Sequence, residues 1–166
     1  IIKCYTKDEF SHISIALDEE LNELYSFGRL HANNPFIGGF VHEGIDFGTF
    51  KRFKNTQTEI YSLEIDNNKY EDISNEINAF KNNKEKYKFN IIGLFAVSIN
   101  KKIHYKDTFY CAEFVKYLFE KAKIENNLPD IIKPQDFKKL KNINLVYKGK
   151  LKDYIKNKIA KYEVAY

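Results

Sequence analysis

The stretch 108–124, TFYCAEFVKYLFEKAKI, decides how the chain is read. Phe114, Val115, Leu118, Phe119 and Ala122 recur at helical spacing and form one apolar stripe, which predicts a helix over 108–123 buried along one face. Asp107 or Thr108 is the natural N-cap, since a short side-chain oxygen can accept from the unpaired N–H groups of the first turn. Cys111 then falls three or four residues past the cap, inside that turn. A thiol reacts as its thiolate, and the free N–H groups and dipole at a helix N-terminus favour negative charge. The same N–H groups suit half of an oxyanion hole. Two readings of Cys111 stand side by side. It is a small core hydrophobe, as free cysteines often are, or it is a nucleophile, which needs a base and a group to orient that base.

His12 is the best base among the four histidines. Residues 12–17, HISIAL, alternate with the period of a strand, placing His12 with the small Ser14 and Ala16 and leaving Ile13, Ile15 and Leu17 on the other side. DEEL follows as a turn and NELYSFG (22–28) as a second strand, a hairpin with a loop of roughly four residues. His31 and His42 fall in a glycine-rich stretch and His104 before a Lys–Asp turn, without the rigid setting a base requires. Hairpin pairing brings residues 26–28 opposite His12, and Ser26 is the polar side chain there. Glu43, in GFVHEG, is the rival orienter, because a carboxylate better stabilises an imidazolium. The hairpin fixes the distance of Ser26 and not that of Glu43, so His12, Cys111 and Ser26 are the expected catalytic set. Cys4 has no base near it in sequence and is expected to be structural.

Outward from these residues the pattern is mixed. Residues 28–48 hold five of the seven glycines and are expected to be an ordered loop with short strand pieces; Gly38, Gly39, Gly44 and Gly48 would form the rim of a substrate cleft. TEIYSLEI (58–65) is a strand. Tyr70, Ile73, Ile77 and Phe80 mark an amphipathic helix capped by Asp66 or Asn67. The apolar run 90–99 is read as a buried helix. KPQDFKKL begins a short helix at Pro134, INLVYKG (143–149) is a last strand, and residues 150–162 a last, basic helix. The class is α+β with a small, mostly antiparallel sheet packed against helices, in one domain over 1–166.

Composition bounds the function. The 166 residues are 43% hydrophobic, with 14 Phe, 12 Tyr and no Trp, enough for a real core. A net charge of +4 comes from scattered lysines rather than a block, which argues against a nucleic-acid partner. Two cysteines make no disulfide framework, and the histidines lack metal-ligand spacing, so no metal or cofactor is called for. No apolar run reaches membrane-spanning length and no leader pattern is read, although the chain begins at Ile1; no stable membrane insertion and a cytoplasmic setting are the expectations.

FSHISIALDEELNELYSFGR, followed about a hundred residues later by TFYCAEFVKYLFEKAKI, resembles the permuted papain-like hydrolases of the YaeF/YiiX type, relatives of NlpC-type cell-wall peptidases and lecithin–retinol acyltransferases. In that group the histidine comes first, on a hairpin strand, and the cysteine later, at a helix N-terminus before a pattern like C-[AS]-E-[FL]-V. The resemblance covers most of residues 8–150 and assigns the histidine to His12 and the cysteine to Cys111. Many relatives carry an acidic residue or a second histidine where this chain offers Ser26. The resemblance implies a cysteine hydrolase or acyltransferase acting on a peptide, lipid or other acyl substrate through a thioester. The alternatives are an inactive binding module on the same fold, and a basic surface-binding protein that uses 150–162 on membrane lipid or nucleic acid.

Overall fold

In the computed structural model, which describes residues 11–31 and 34–163, the first strands form an antiparallel meander. β1 (Ile15–Ala16) pairs with β2 (Leu24–His31), and β2 pairs with β3 (Asn34–Glu43). Asp18 builds the first turn: its carboxylate accepts from the N–H of Asn22 at 3.1 Å and of Glu23 at 2.8 Å. β1 is shorter than the alternation of HISIAL predicts. Residues 12–14 run outside the ladder, which leaves the His12 side chain free to be held by other groups.

The stretch 28–48 is a correction. Residues 28–31 end β2 and 34–43 are the ten-residue strand β3, so most of it is strand and not loop. Its glycines mark crowding between neighbours. Gly38 pairs with Arg29, and a Cβ there would come within 2.8 Å of the Gly28 carbonyl and of the Phe89 ring. A Cβ on Gly44 would overlap the ring of Phe47. None of Gly38, Gly39, Gly44 or Gly48 lines the cleft described below. That role falls to the short helix α1 (Gly48–Arg52), through Thr49 and Phe50.

β4 (Gln57–Leu63) pairs antiparallel with β7 (Ile143–Lys150) in a second sheet. Between them lies α2 (Asn67–Asn82), capped by Asp66, whose side chain accepts from Lys69 N at 3.0 Å; Ile73, Ile77 and Phe80 are its buried stripe. α3 (Ile91–Ser98) follows as expected, capped by Asn90. Two residues on either side of the α3 region, β5 (Lys88–Phe89) and β6 (Thr108–Phe109), form a parallel pair that the sequence did not suggest. This pair shifts the start of the next helix. Thr108 and Phe109 are extended in β6 and Asp107 has φ 57°, so neither Asp107 nor Thr108 is the cap. Tyr110 is the N-cap and α4 spans Cys111–Lys121.

The aromatic excess fills the core between the first sheet and the helices. Phe27 of β2 and Phe40 of β3 meet Phe80 of α2 and Phe114 of α4, with ring centroids 5.1–5.6 Å apart for Phe27–Phe114, Phe40–Phe80 and Phe80–Phe114. Each such pair contributes about 0.5–1.5 kcal/mol beyond the area it buries. A 3-10 turn, Pro134–Lys139, precedes β7, and α5 (Tyr154–Glu163) closes the described chain. α5 is docked: Tyr154 packs with Leu151 and Leu21 in a second small core, and Lys158 Nζ lies 3.0 Å from Glu19 and 2.7 Å from Glu20. No described helix is long and apolar enough to cross a membrane.

Candidate active site

Cys111 is the first residue of α4, nearer the helix end than its expected place. The first intrahelical bond of this turn, Phe114 N to Tyr110 O at 3.0 Å, leaves the N–H groups ahead of it without helical partners. The Glu113 carboxylate returns to the cap and accepts from Tyr110 N at 3.2 Å; Asn90 Nδ2 donates to the same Oε2 at 3.2 Å. Asn90 also accepts from Gly93 N at 2.8 Å and donates to Ile103 O at 2.9 Å, so one buried amide ties α3 to the start of α4. Burial raises the Glu113 carboxyl above its ordinary value, against the bonds from Tyr110 and Asn90 and the nearby His104.

His12 reaches this end of α4 from the first sheet. Its Nε2 lies 3.0 Å from Glu43 Oε1, and the Cys111 side chain is within hydrogen-bonding reach of the ring. With Nε2 engaged by Glu43, Nδ1 is the nitrogen left for the thiol. Burial opposes a charge on the imidazole, although a third of the side chain (33%) is exposed. The Glu43 carboxylate, with the bonds from Cys111 and Glu43, outweighs that cost and holds the His12 pKa well above its ordinary 6.5.

Glu43 ends β3 and is buried. Burial alone would raise its pKa, but the charge and hydrogen bond of His12, then Ser14 and Ser26, bring it below the ordinary value. Ser14 Oγ donates to Glu43 Oε2, leaving Oε1 for the ring. Extending the β1–β2 register places Gly28 across from His12, and a Cβ on Gly28 would lie 3.5 Å from His12 Cε1, 3.5 Å from Ser26 Oγ and 3.8 Å from Glu43 Oε1. The missing side chain of Gly28 is the space in which these groups converge.

Ser26 as the direct partner of the imidazole is corrected. The register puts Gly28 and not Ser26 opposite the ring, and Glu43 reaches it instead. Ser26 Oγ is fully buried and makes no hydrogen bond of good geometry among the described residues, although it stands close enough to Glu43 to favour its charged form. Ser14 is the residue sequence reading passed over; its place two residues after His12 on the same face was the available signal. His42 bonds Asn22 O at 2.7 Å and stacks on Tyr25, and His104 lies 3.5 Å from Glu113, both away from the cleft. Cys4 is outside the described residues. Among those described, no group of three or more His, Cys, Asp and Glu side chains is arranged to hold a metal ion.

Cys111 and His12 open into one broad cleft between the first sheet, α1 and the β4–β7 sheet. Phe50, Leu94, Val115, Phe119 and Phe137 give it apolar walls. The Phe50 ring is 6.4 Å from the imidazole. A thiol, a base paired with a buried carboxylate, and unpaired N–H groups at a helix end are together the parts of a nucleophilic acyl-transfer centre. Comparison with family models, with curated proteins and with solved structures finds no match for the chain.

Proposed function

We propose that the protein is a cysteine hydrolase or acyltransferase of permuted papain-like architecture, acting on an amide or ester through a thioester. The observation that carries this reading is the placement of His12 between the Glu43 carboxylate and the Cys111 side chain. His12 takes the proton of Cys111, and the thiolate attacks the carbonyl carbon. Negative charge collects on the carbonyl oxygen, facing the N–H groups of the first turn of α4. The imidazolium, stabilised by Glu43, passes its proton to the departing amine or alcohol. Water or another acceptor then gives a proton to His12, attacks the thioester and restores the thiol. A neutral orienter such as Ser26 would favour an inactive binding module; a buried carboxylate on the ring favours a working base. The rival use of residues 150–162 as a surface-binding helix loses support from the docking of Tyr154 and Lys158.

Labelling with a panel of acyl and peptidyl electrophiles tests the proposal. Labelling should vanish in Cys111→Ala, fall by about 10²-fold or more in His12→Ala, the scale of general-base catalysis, and persist in Cys4→Ser. Labelling that survives Cys111→Ala, or is indifferent to His12, sinks it.

A further inference from the structure

α3 is packed inside out. Its small residues Gly93 and Ala96, with Val97, face the core. Three large apolar side chains on its other side are exposed: Ile92 at 52%, Phe95 at 46% and the C-capping Ile99 at 66%. At helical spacing these three positions fall on one stripe. The following segment turns back along the helix. Lys101 N bonds Ala96 O at 2.9 Å at one end, and Ile103 O accepts from Asn90 at 2.9 Å at the other, which brings Tyr105, 52% exposed, and Lys106 towards the start of α3.

The charge carried by the ridge segment itself has one sign. Residues 86–106 contain five lysines, at 86, 88, 101, 102 and 106, and no aspartate or glutamate. All five are exposed. Lys101 and Lys102 follow the C-terminal end of α3. Lys86, Lys88 and Lys106 lie towards its N-terminal end, where β5 and β6 pair. Lys86 and Lys102 pair with acidic neighbours at the edge of the ridge, Asp107 at 3.5 Å and Asp130 at 3.7 Å; both lysines are more than half exposed, and such surface pairs are weak.

We propose that the outer face of α3 docks the protein on an anionic lipid bilayer, with Ile92, Phe95 and Ile99 seated among the upper acyl chains and the flanking lysines on the headgroups. Branched aliphatic and aromatic side chains on one face of a short helix, with tyrosine and lysine at the edge, match what an interfacial helix requires. A second copy of the chain suits the surface less, since a two-fold contact would press two lysine rims together. The inference is independent of the acyl-transfer chemistry. The same helix nonetheless turns Leu94 into the cleft, so a docked molecule would hold the cleft near the lipid.

Co-sedimentation of the full chain with phosphatidylcholine vesicles, with and without phosphatidylserine, tests it. Binding should appear with phosphatidylserine and weaken as salt rises from about 0.1 M to about 0.5 M, where screening shortens to a few Å. Ile92→Ser with Ile99→Ser, at exposed positions and with the fold checked by circular dichroism, should lower partitioning by about tenfold or more. Lys101→Glu with Lys102→Glu should lower it on anionic vesicles only. No binding to phosphatidylserine vesicles, or binding that both double variants leave unchanged, overturns the proposal. So does concentration-dependent self-association of the wild type that the isoleucine variant abolishes, which would give the face to a second copy.

Discussion

Glu43 Oε1 sits 3.0 Å from His12 Nε2, joining a buried carboxylate at the end of β3 to a ring that is partly open to the cleft. The pair has a defined pH signature. The His12 pKa is raised, so its contribution to stability is full below 6.5 and is lost as pH climbs through the higher folded value. The Glu43 pKa is lowered, so its contribution is full above 4.5 and is lost as pH falls through the lower folded value. Both are complete between 4.5 and 6.5. The melting-temperature difference between wild type and Glu43→Gln should be largest in that window and shrink on either side. In the same variant the NMR titration of His12 should move down, because burial then acts without its counter-charge.

Ser14 and Ser26 flank one carboxylate and should behave differently. Ser14→Ala removes a donor to a charged, buried acceptor and should cost about 1.5–3 kcal/mol. Ser26→Ala deletes a hydroxyl that makes no well-formed bond and should change stability by less than about 1 kcal/mol. Urea unfolding of the two variants provides the comparison. Equal losses would mean that Ser26 bonds Glu43 as firmly as Ser14 does.

Gly28 should tolerate one methyl and no more. A Cβ there stands at ordinary contact distance, 3.5 Å, from both His12 and Ser26. Gly28→Ala should keep the electrophile labelling of Cys111, while Gly28→Leu should displace the imidazole and lower it to the level of His12→Ala. Labelling unaffected by leucine would show that the ring does not need this space.

Asn90→Ala should be costly at a distance from the chemistry. It strands Gly93 N and Ile103 O and removes a donor from Glu113. Leaving buried polar groups unsatisfied costs about 1–3 kcal/mol, which chemical denaturation will read as a lower midpoint at unchanged slope. Labelling of Cys111 should slow as well, since the same amide anchors the first turn of α4.

His12 and Cys111 were legible because each sits in a strong local period: alternation after the histidine, a three-four repeat after the cysteine. Glu43 was named but ranked second. Its reach to the ring depends on β3 pairing beside β2 in the register that sets Glu43 across from Leu24, and short-range pattern does not encode that. β3 itself was hidden by glycines that resemble turn signals, although Gly38 is small because Gly28 and Phe89 occupy its side-chain space. The cap of α4 was misplaced for a similar reason. Asp107 and Thr108 are good capping residues locally, and a parallel partner at Lys88–Phe89 draws Thr108 and Phe109 into a strand instead.

The distance along the chain between His12 and Cys111 has a consequence during synthesis. The meander with its imidazole leaves the ribosome first, and the thiol follows 99 positions later. At about 5–20 residues per second, the histidine waits roughly 5–20 s for its partner. During that interval neither group has the other, and Glu43 has the ring, Ser14 and Ser26 beside it. Under the proposed function, a nascent chain would carry no assembled nucleophile, and reactivity would arrive only when α4 docks.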